Sequence, residues 1–391
     1  MNRTLFLSLA LCIFTLSGHT AALAQSARPP AKADGTYRIA TFNASLYRRN
    51  PGLLAQELRL GGSAQIDAVA EIIQIVRPDV ILINEFDYDV RGVAARLFAE
   101  TLRTGRGDEQ GIDYSHRLVR PSNTGVQSGF DLDKNDRIGG PADAFGFGFF
   151  PGQYGMVMFS RLPFADAQIR TFQTVKWADM PANLIPKGHF GAAEGTLRLS
   201  SKNHIDAPVI FPGGRHVHLL ASHPTPPVFD GPEDANGRRN HDEVRFWVDY
   251  AEGEDWMTDD QGRAGPLPPK RDFVVIGDLN VDPEDGAGRG SVLKRLMEIA
   301  PDPLPFSIGG AQAATEGANL RHRGAPGLDT ADWKDVPGPG NLRADYVLPS
   351  ADIEVVDSGT FWPAPDDPLH RLVGDNEMIS SDHRLVWVDI K

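Results

Sequence analysis

The chain closes with the stretch SSDHRLVWVDIK, residues 380–391, which constrains how the strands of the fold are arranged. The apolar side chains between residues 385 and 390 predict a half-buried strand. Asp382 and His383 stand directly before this strand, and Asp345 likewise precedes the strand in the segment ADYVL. Two strands of this chain therefore carry titratable groups at their amino-terminal ends.

Four earlier strands carry their polar groups at the opposite end. The segments IATFN (39–43), VILINE (80–85), HLLASH (218–223) and FVVIGDLN (273–280) deliver Asn43, Glu85, His223, Asp278 and Asn280. If all of these groups meet at one place, the last two strands must run antiparallel to the first four. This excludes a purely parallel, doubly wound sheet and predicts a layered fold of mixed sheets, with a cleft at one sheet edge.

Composition and charge narrow the class of partner. The chain has 391 residues, of which 41% are hydrophobic and 23% charged, as in ordinary globular proteins. Its formal charge is -13, and such an acidic surface disfavours tight, unspecific binding of nucleic acid. A nuclease is not excluded, because local charge and bound metal can override the net charge.

The amino-terminal residues are typical of a secretory signal. Residues 1–24 combine one arginine, a long apolar run and a small-residue exit, so we expect cleavage after Ala24 and a secreted or periplasmic protein. A membrane anchor would need about 20 apolar residues, and the polar residues before the exit interrupt the run. The only cysteine, Cys12, lies in this signal, so thiol and zinc–thiolate chemistry are not expected in the mature chain.

The remainder is predicted to form one domain. Residues 25–35 are rich in alanine and proline and predict a flexible leader, followed by a single domain over 36–391. Long Gly-rich insert loops are expected near 121–152 and 301–341, and a short strand is expected at 196–199. No membrane span is expected in the mature chain.

The polar groups at the strand ends are rich in carboxylate and amide oxygens. Such hard ligands suit Mg²⁺ or Mn²⁺, which proteins often use together with substrate phosphate oxygens. Two histidines near acids are suited to moving protons at neutral pH. These residue types point to hydrolysis of a phosphate ester, with a cation that offsets the charge on phosphorus.

The ordered set FN, NE, YGMVMFSR (154–161), SHP, GDLN, DYV and SDH resembles the endonuclease/exonuclease/phosphatase superfamily over roughly residues 36–391. The resemblance implies a DNase I-like α/β fold. That fold is a four-layer sandwich in which helices flank two mixed, largely antiparallel sheets. It also implies a divalent-metal site at one end of the sheets, with Asn43, Glu85 and Asp382 on the metal. Tyr154 falls where relatives place an aromatic residue that contacts phosphate.

The same resemblance implies the catalytic roles. Asp278 and Asn280 match the pair that orients the attacking water and holds the phosphate or a second metal. His383 matches a histidine that serves as base or phosphate-binding imidazolium, and Asp345 matches the acid that orients it. His223 matches a second histidine, which serves as proton donor or oxyanion stabiliser.

The segment NGRRNHDEV, residues 236–244, leaves two questions open. Arg238 and Arg239 would clamp a phosphate, or they would only form surface pairs at the start of a helix. Some nucleases of the family pair an acid with the histidine that matches His223, and here Asp242 and Glu243 are the candidates.

A second cation site is an open possibility in the first insert loop. Asp131, Asp133 and Asn135 have the spacing of the first ligands of a Ca²⁺ loop. Asp136 stands where that loop needs glycine, and Ala142 stands where it needs glutamate. The stretch 131–139 is therefore either a Ca²⁺ site or a solvated acidic turn.

These features predict a metal-dependent phosphoesterase with a small phosphate ester as the favoured substrate. The alternatives are a secreted nuclease acting on nucleic acid, or a non-catalytic binding protein on the same fold. No protein partner is expected.

Overall fold

The computed structural model describes residues 27–374 and 378–391. The predicted signal, residues 1–24, lies outside the described residues, as do the first two residues of the predicted leader. Residues 27–35 contain no helix or strand, but they contact the body of the protein. Arg28 forms an ion pair with Glu109 at 2.5 Å, and Lys32 forms one with Asp79.

The described residues form two mixed sheets. In chain order the strands are β1 (Tyr37–Asn43), β2 (Val80–Asn84), β3 (His116–Val119), β4 (Met156–Ser160), β5 (Arg170–Thr171), β6 (His204–Ile210), β7 (His216–Ser222), β8 (Asp272–Asp278), β9 (Ala331–Asp332), β10 (Asn341–Leu342), β11 (Asp345–Pro349), β12 (Val355–Phe361) and β13 (Leu385–Ile390). The first sheet has the order β12-β13-β1-β2-β4-β3, the second has the order β11-β8-β7-β6-β5, and β9 pairs with β10.

Helices cover the outer faces of both sheets. They are α1 (Leu53–Leu60), α2 (Ala64–Val76), α3 (Val93–Arg103), α4 (Ala235–Glu252), α5 (Gly290–Ile299) and α6 (Ile308–Ala313). The apolar faces of α2 and α3 pack on the first sheet, and those of α4 and α5 pack on the second. No helix in the described part of the chain is both long enough and apolar enough to cross a membrane.

The strands of the first sheet are buried on both faces because each face has its own apolar partner. In β2, Ile81 and Ile83 contact the helices, whereas Val80 and Leu82 point toward the second sheet. This alternation follows from the two-residue period of a strand. The resulting order of helices, sheet, sheet and helices is the predicted four-layer sandwich, and the fold prediction is confirmed.

The strand directions agree with the expectation from the sequence. β1 is parallel to β2, and β7 is parallel to β8. β13 is antiparallel to β1, and β11 is antiparallel to β8. The ends of β1, β2, β7 and β8 and the starts of β11 and β13 therefore lie at the same edge of the sandwich.

One strand prediction is wrong. Residues 196–199 form only an isolated bridge from Arg198 to Lys176, and the strand that pairs with β7 is β6, which begins at His204. At this bridge the Leu199 N–H donates to the Val175 carbonyl at 2.8 Å and the Trp177 N–H donates to the Leu197 carbonyl at 2.9 Å. Beyond it, the Asn123 side chain donates to the carbonyls of Gln173 and Ser200 at 2.7 Å each.

Candidate active site

A cleft of about 1530 Å³ opens at the edge where the strand ends meet. Its lining includes Glu85, His223, Asp278, Asp382 and His383. Gly277 allows the second sheet to close tightly behind it, because a Cβ at this position would lie 2.0 Å from the carbonyl oxygen of Ser222. The glycine of the GDLN motif is thus required by a close backbone approach.

His383 and Asp345 form a buried pair that joins the two sheets. His383 Nδ1 lies 2.8 Å from Asp345 Oδ2, and the Thr330 hydroxyl donates to the same oxygen at 2.9 Å. Burial by itself would lower the pKa of His383, but Asp345 and Asp278 raise it well above its usual range. The ring is thereby oriented and kept as an imidazolium, with Nε2 facing Asp278.

Asp278 lies at the centre of the polar cluster. Its Oδ2 accepts a hydrogen bond from Asn43 Nδ2 at 3.0 Å and lies 3.4 Å from His223 Nε2 and 3.8 Å from His383 Nε2. Its Oδ1 accepts from the backbone N–H of Asn280 at 2.9 Å. Burial raises the pKa of Asp278. The carboxylate therefore links both histidines and both amides that the sequence selected.

Glu85 lies on the first-sheet side of the cleft, which we call the metal side because the sequence predicts a cation there. Burial raises its pKa to about 7, with His383 opposing and Asp382 adding to the shift. Within 27–374 and 378–391 no lysine or arginine forms an ion pair with Glu85, and the nearby Asn43 amide offsets only part of the rise in its pKa. A crowded carboxylate beside further oxygen donors fits a hard divalent cation.

Asp382 completes this side, and the second insert loop holds it in place. Its Oδ1 accepts from the Ser45 hydroxyl at 3.1 Å, and its Oδ2 accepts from Trp333 Nε1 at 3.2 Å. A further set of potential ligands lies next to it, because Asp278, Asp345 and His383 offer ligand atoms within 4.8 Å of one another. Trp333 also lines the cleft.

His223 faces Asp278 through Nε2, at 3.4 Å, and neither of the two candidate acids, Asp242 and Glu243, pairs with its ring. Its Nδ1 is buried and has no hydrogen-bond partner, and burial lowers its pKa well below the usual value, with Lys202 adding to the effect. Asp242 instead accepts from Trp177 Nε1 at 2.7 Å, and Glu243 accepts from backbone N–H groups. The sequence left two roles open for His223, proton donor or oxyanion stabiliser, and the lowered pKa favours a neutral ring.

The two arginines of the NGRRNHDEV segment do not form a clamp. Arg238 donates to the Glu233 carbonyl at 3.0 Å and lines a separate, shallow depression. Arg239 reaches the cleft wall, but its guanidinium donates to the carbonyls of Leu199, Arg198 and Phe145. These backbone contacts replace the predicted phosphate contacts and fix the loops that form the cleft.

Helix α4 holds the loops on the second-sheet side of the cleft in place, and we call it the frame. The sequence did not reveal this role. Asn240 Nδ2 donates to the carbonyls of Thr225 and Leu279, each at 2.9 Å. Glu243 accepts from the N–H groups of Ser201 and Thr225, each at 2.6 Å. These bonds tie the segments around His223 and Asp278 to one helix. The partners are backbone groups far away in sequence, so no motif could have signalled them.

Tyr154 lies in the cleft, as predicted, and its ring packs against Tyr47 with centroids 4.5 Å apart. Burial raises its pKa to about 12, with Tyr47 and Glu85 adding to the shift. Non-glycine residues at the site with left-handed backbone include Ser45 at φ 48°, Glu85 at φ 57°, Asn280 at φ 52° and Tyr154 at φ 54°. Such conformations are uncommon, and their clustering is typical of functional sites.

The acidic turn at 131–139 brings Asp131 and Asp133 together with Asp143, with ligand atoms within 4.8 Å of one another. Asp131 accepts from the N–H groups of Asn135 and Asp136 at 3.1 and 2.9 Å, and Asp143 accepts from three more. Backbone donors thus already satisfy much of the carboxylate capacity that a Ca²⁺ ion would use.

The chain is similar to a known protein family and to several solved structures. A family model described as the Endonuclease/Exonuclease/phosphatase family matches residues 40–383. No curated protein sequence matches the chain. A solved endonuclease/exonuclease/phosphatase from Beutenbergia cavernae DSM 12333 is 16% identical, with a TM-score of 0.52 over 91% of this chain and 71% of its own.

Two further solved structures resemble the chain less closely. A family protein from Leptotrichia buccalis C-1013-b is 14% identical over 91% of this chain and 99% of its own, with a TM-score of 0.45. A Staphylococcus aureus beta toxin mutant with bound magnesium ions is 12% identical over 90% of this chain and 98% of its own, with a TM-score of 0.44. At such identities a structural likeness shows only a fold. The family match, however, covers most of the chain, which therefore belongs to the endonuclease/exonuclease/phosphatase family of phosphoester hydrolases.

Proposed function

We propose that the protein is a secreted, divalent-metal-dependent phosphoesterase that hydrolyses phosphate mono- or diesters by attack of water at phosphorus. One observation carries the proposal. Glu85 and Asp382 face the same cleft as Asp278 and His383, so metal ligands and proton-handling groups can act on one phosphoryl group. Secretion rests on the signal-like residues 1–24 alone.

Asn43, Glu85 and Asp382 would hold Mg²⁺ or Mn²⁺. The oxygen-only donor set and the crowding of buried carboxylates around Glu85 fit such an ion. When bound, the cation would offset the negative charge on the phosphoryl oxygens. It would also relieve the repulsion between Glu85 and Asp382.

The protein's own groups would manage the water and the protons. Asp278 accepts hydrogen bonds and sits between both histidines, so it is placed to orient the attacking water together with Asn280. The imidazolium of His383, held by Asp345, would bind a phosphoryl oxygen. His223 would donate a neutral N–H bond to developing negative charge.

The charge around the cleft favours small substrates. Carboxylates outnumber lysines and arginines among its lining residues, and the whole chain carries a formal charge of -13. A long polyanion such as DNA would be repelled except close to the metal side. A small phosphate ester needs only the catalytic cluster and the apolar cleft walls.

A substrate panel tests this function directly. Purified protein is assayed on bis-p-nitrophenyl phosphate, p-nitrophenyl phosphate, plasmid DNA and sphingomyelin, with Mg²⁺, with Mn²⁺ and with a chelator. We expect turnover of a small phosphate ester that the chelator abolishes. Faster cleavage of DNA would favour the nuclease, and no metal-dependent turnover of any of these substrates would contradict the proposal.

A further inference from the structure

Lys202 is a buried cation at the cleft that none of the roles above uses. It lies two residues before β6, lines the cleft and is only 6% exposed. Its ammonium group makes one long hydrogen bond, 3.5 Å to the carbonyl oxygen of Pro224. An ammonium has three donors, and a buried charge is costly unless it is paired. The Lys202 ammonium can therefore donate further hydrogen bonds to a ligand in the cleft.

The backbone around Lys202 is fixed on both sides. Its carbonyl accepts from the N–H of Asn123 at 2.8 Å, and the preceding N–H, that of Ser201, donates to Glu243 at 2.6 Å. The other oxygen of Glu243 holds Thr225, two residues after His223, also at 2.6 Å. One carboxylate therefore sets the spacing between the Lys202 and His223 segments, which is expected where geometry matters for function.

The carboxylates near Lys202 favour the charged form of its ammonium group but do not pair with it. Burial lowers its pKa, whereas Glu243, Glu85 and Asp278 oppose that shift. None of these carboxylates forms an ion pair with it within the residues the structure describes. The attraction holds the ammonium at the cleft without consuming its donors.

We propose that the Lys202 ammonium contacts a nonbridging oxygen of the substrate's phosphoryl group, opposite the metal side. The proposal rests on the phosphoesterase function proposed above. Glu85 and Asp382 belong to the first sheet, whereas Lys202 adjoins β6 of the second. A phosphoryl group between the sheets presents one oxygen to each side, and an ammonium forms strong, charge-assisted bonds to such an oxygen.

The test compares Lys202→Met with a matched control, Lys176→Met, which alters an exposed lysine outside the cleft. We expect kcat/KM on bis-p-nitrophenyl phosphate to fall about 10- to 100-fold for Lys202→Met only, as loss of a charged hydrogen bond implies. Inhibition by inorganic phosphate should weaken similarly, while Mn²⁺ affinity in the absence of phosphate stays unchanged. Lys202→Gln serves if the methionine variant does not fold.

Further readouts separate a phosphate contact from a structural role. Across aryl phosphate diesters of different leaving-group pKa, the loss should be a constant factor. A loss that grows with that pKa would contradict the assignment and move the ammonium to the leaving oxygen. Unchanged phosphate inhibition, or a parallel loss of Mn²⁺ affinity, would also overturn it.

Phosphate binding by calorimetry keeps this proposal separate from the proposed function. If the wild type turns over no phosphate ester, the function fails. Weaker phosphate binding by Lys202→Met than by wild type would then still support the contact. Equal binding by both would overturn it.

Discussion

The two sides of the cleft are built in different ways. On the metal side, Asn43 ends β1 and Glu85 directly follows β2, its parallel neighbour. Asp382 lies just before β13, which pairs with β1 on the other side, so the pairing of these strands brings the three side chains together. On the second-sheet side, Lys202 and His223 lie in irregular segments that a single helix, α4, holds through Glu243. Strand order therefore fixes the proposed metal ligands, whereas long-range hydrogen bonds fix Lys202 and His223.

The largest effect is expected where the two sides meet. His383→Ala removes the imidazolium that joins Asp345 to Asp278, and we expect kcat/KM to fall about 10²- to 10⁴-fold. Steady-state kinetics on the best substrate measure the loss. His216→Ala, which alters a half-buried histidine outside the cleft, is the matched control. Equal activity of the two variants would mean that the sides do not cooperate.

Substitution of a residue in the frame should lower the free energy of unfolding and not only the catalytic rate. Glu243→Gln places an amide NH₂ against one of two buried N–H donors, so we expect a loss of about 2–3 kcal/mol in the free energy of unfolding. Urea denaturation measures this loss, and Glu254→Gln, at an exposed position just beyond α4, is the control. A stability equal to that of the control would show that α4 is not the frame.

Substitution of a residue on the metal side should lower the affinity for Mn²⁺ without lowering the stability of the fold. Glu85→Gln removes a crowded carboxylate, so we expect Mn²⁺ affinity to fall about 10- to 100-fold. Activity should return partly at high Mn²⁺, and the unfolding midpoint without metal should stay the same or rise. Wild-type metal affinity in the variant would place the cation elsewhere.

The smallest expected effect is a pH dependence of stability, which arises from His204 and its contact with the frame. Burial lowers the pKa of His204 to about 4, and its Nε2 donates to the Glu243 carbonyl at 2.8 Å. Between pH 6.5 and 4 the unfolded chain binds this proton and the folded chain does not, so stability falls as pH falls through that window. The slope is at most about 1.4 kcal/mol per pH unit.

Urea denaturation between pH 7 and 5, compared with His204→Asn, isolates this contribution. We expect the difference in unfolding free energy between wild type and variant to shrink by about 1–2 kcal/mol from pH 7 to pH 5. A difference that does not change with pH would mean that the folded protein protonates His204 readily.

The sequence predicted the metal side because the signal there is local. Each ligand follows or precedes an apolar run, and the opposite placement before β11 and β13 dictated antiparallel pairing. The His383–Asp345 pair followed from the family pattern. The strand ends also predicted mixed sheets in layers, whereas the four-layer sandwich followed from the family resemblance.

The second-sheet side was less predictable, for physical reasons. A strand was expected at 196–199, whereas the pairing strand starts at His204, so Lys202 was not recognised as a residue at a strand end. Arg239 and Glu243 bind backbone groups about 20 or more residues away, and no spacing rule encodes such contacts. The second insert loop also contributes Thr330 and Trp333 through tertiary folding alone.

The central claim is that both sides act on one phosphoryl group. A crystal structure with Mn²⁺ and inorganic phosphate tests it most directly, with the metal located by its anomalous signal. We expect Mn²⁺ on Glu85 and Asp382 and a phosphate that bridges the ion to His383 and Lys202. Mn²⁺ found only at the acidic turn of residues 131–139, or phosphate bound outside the cleft, would contradict it.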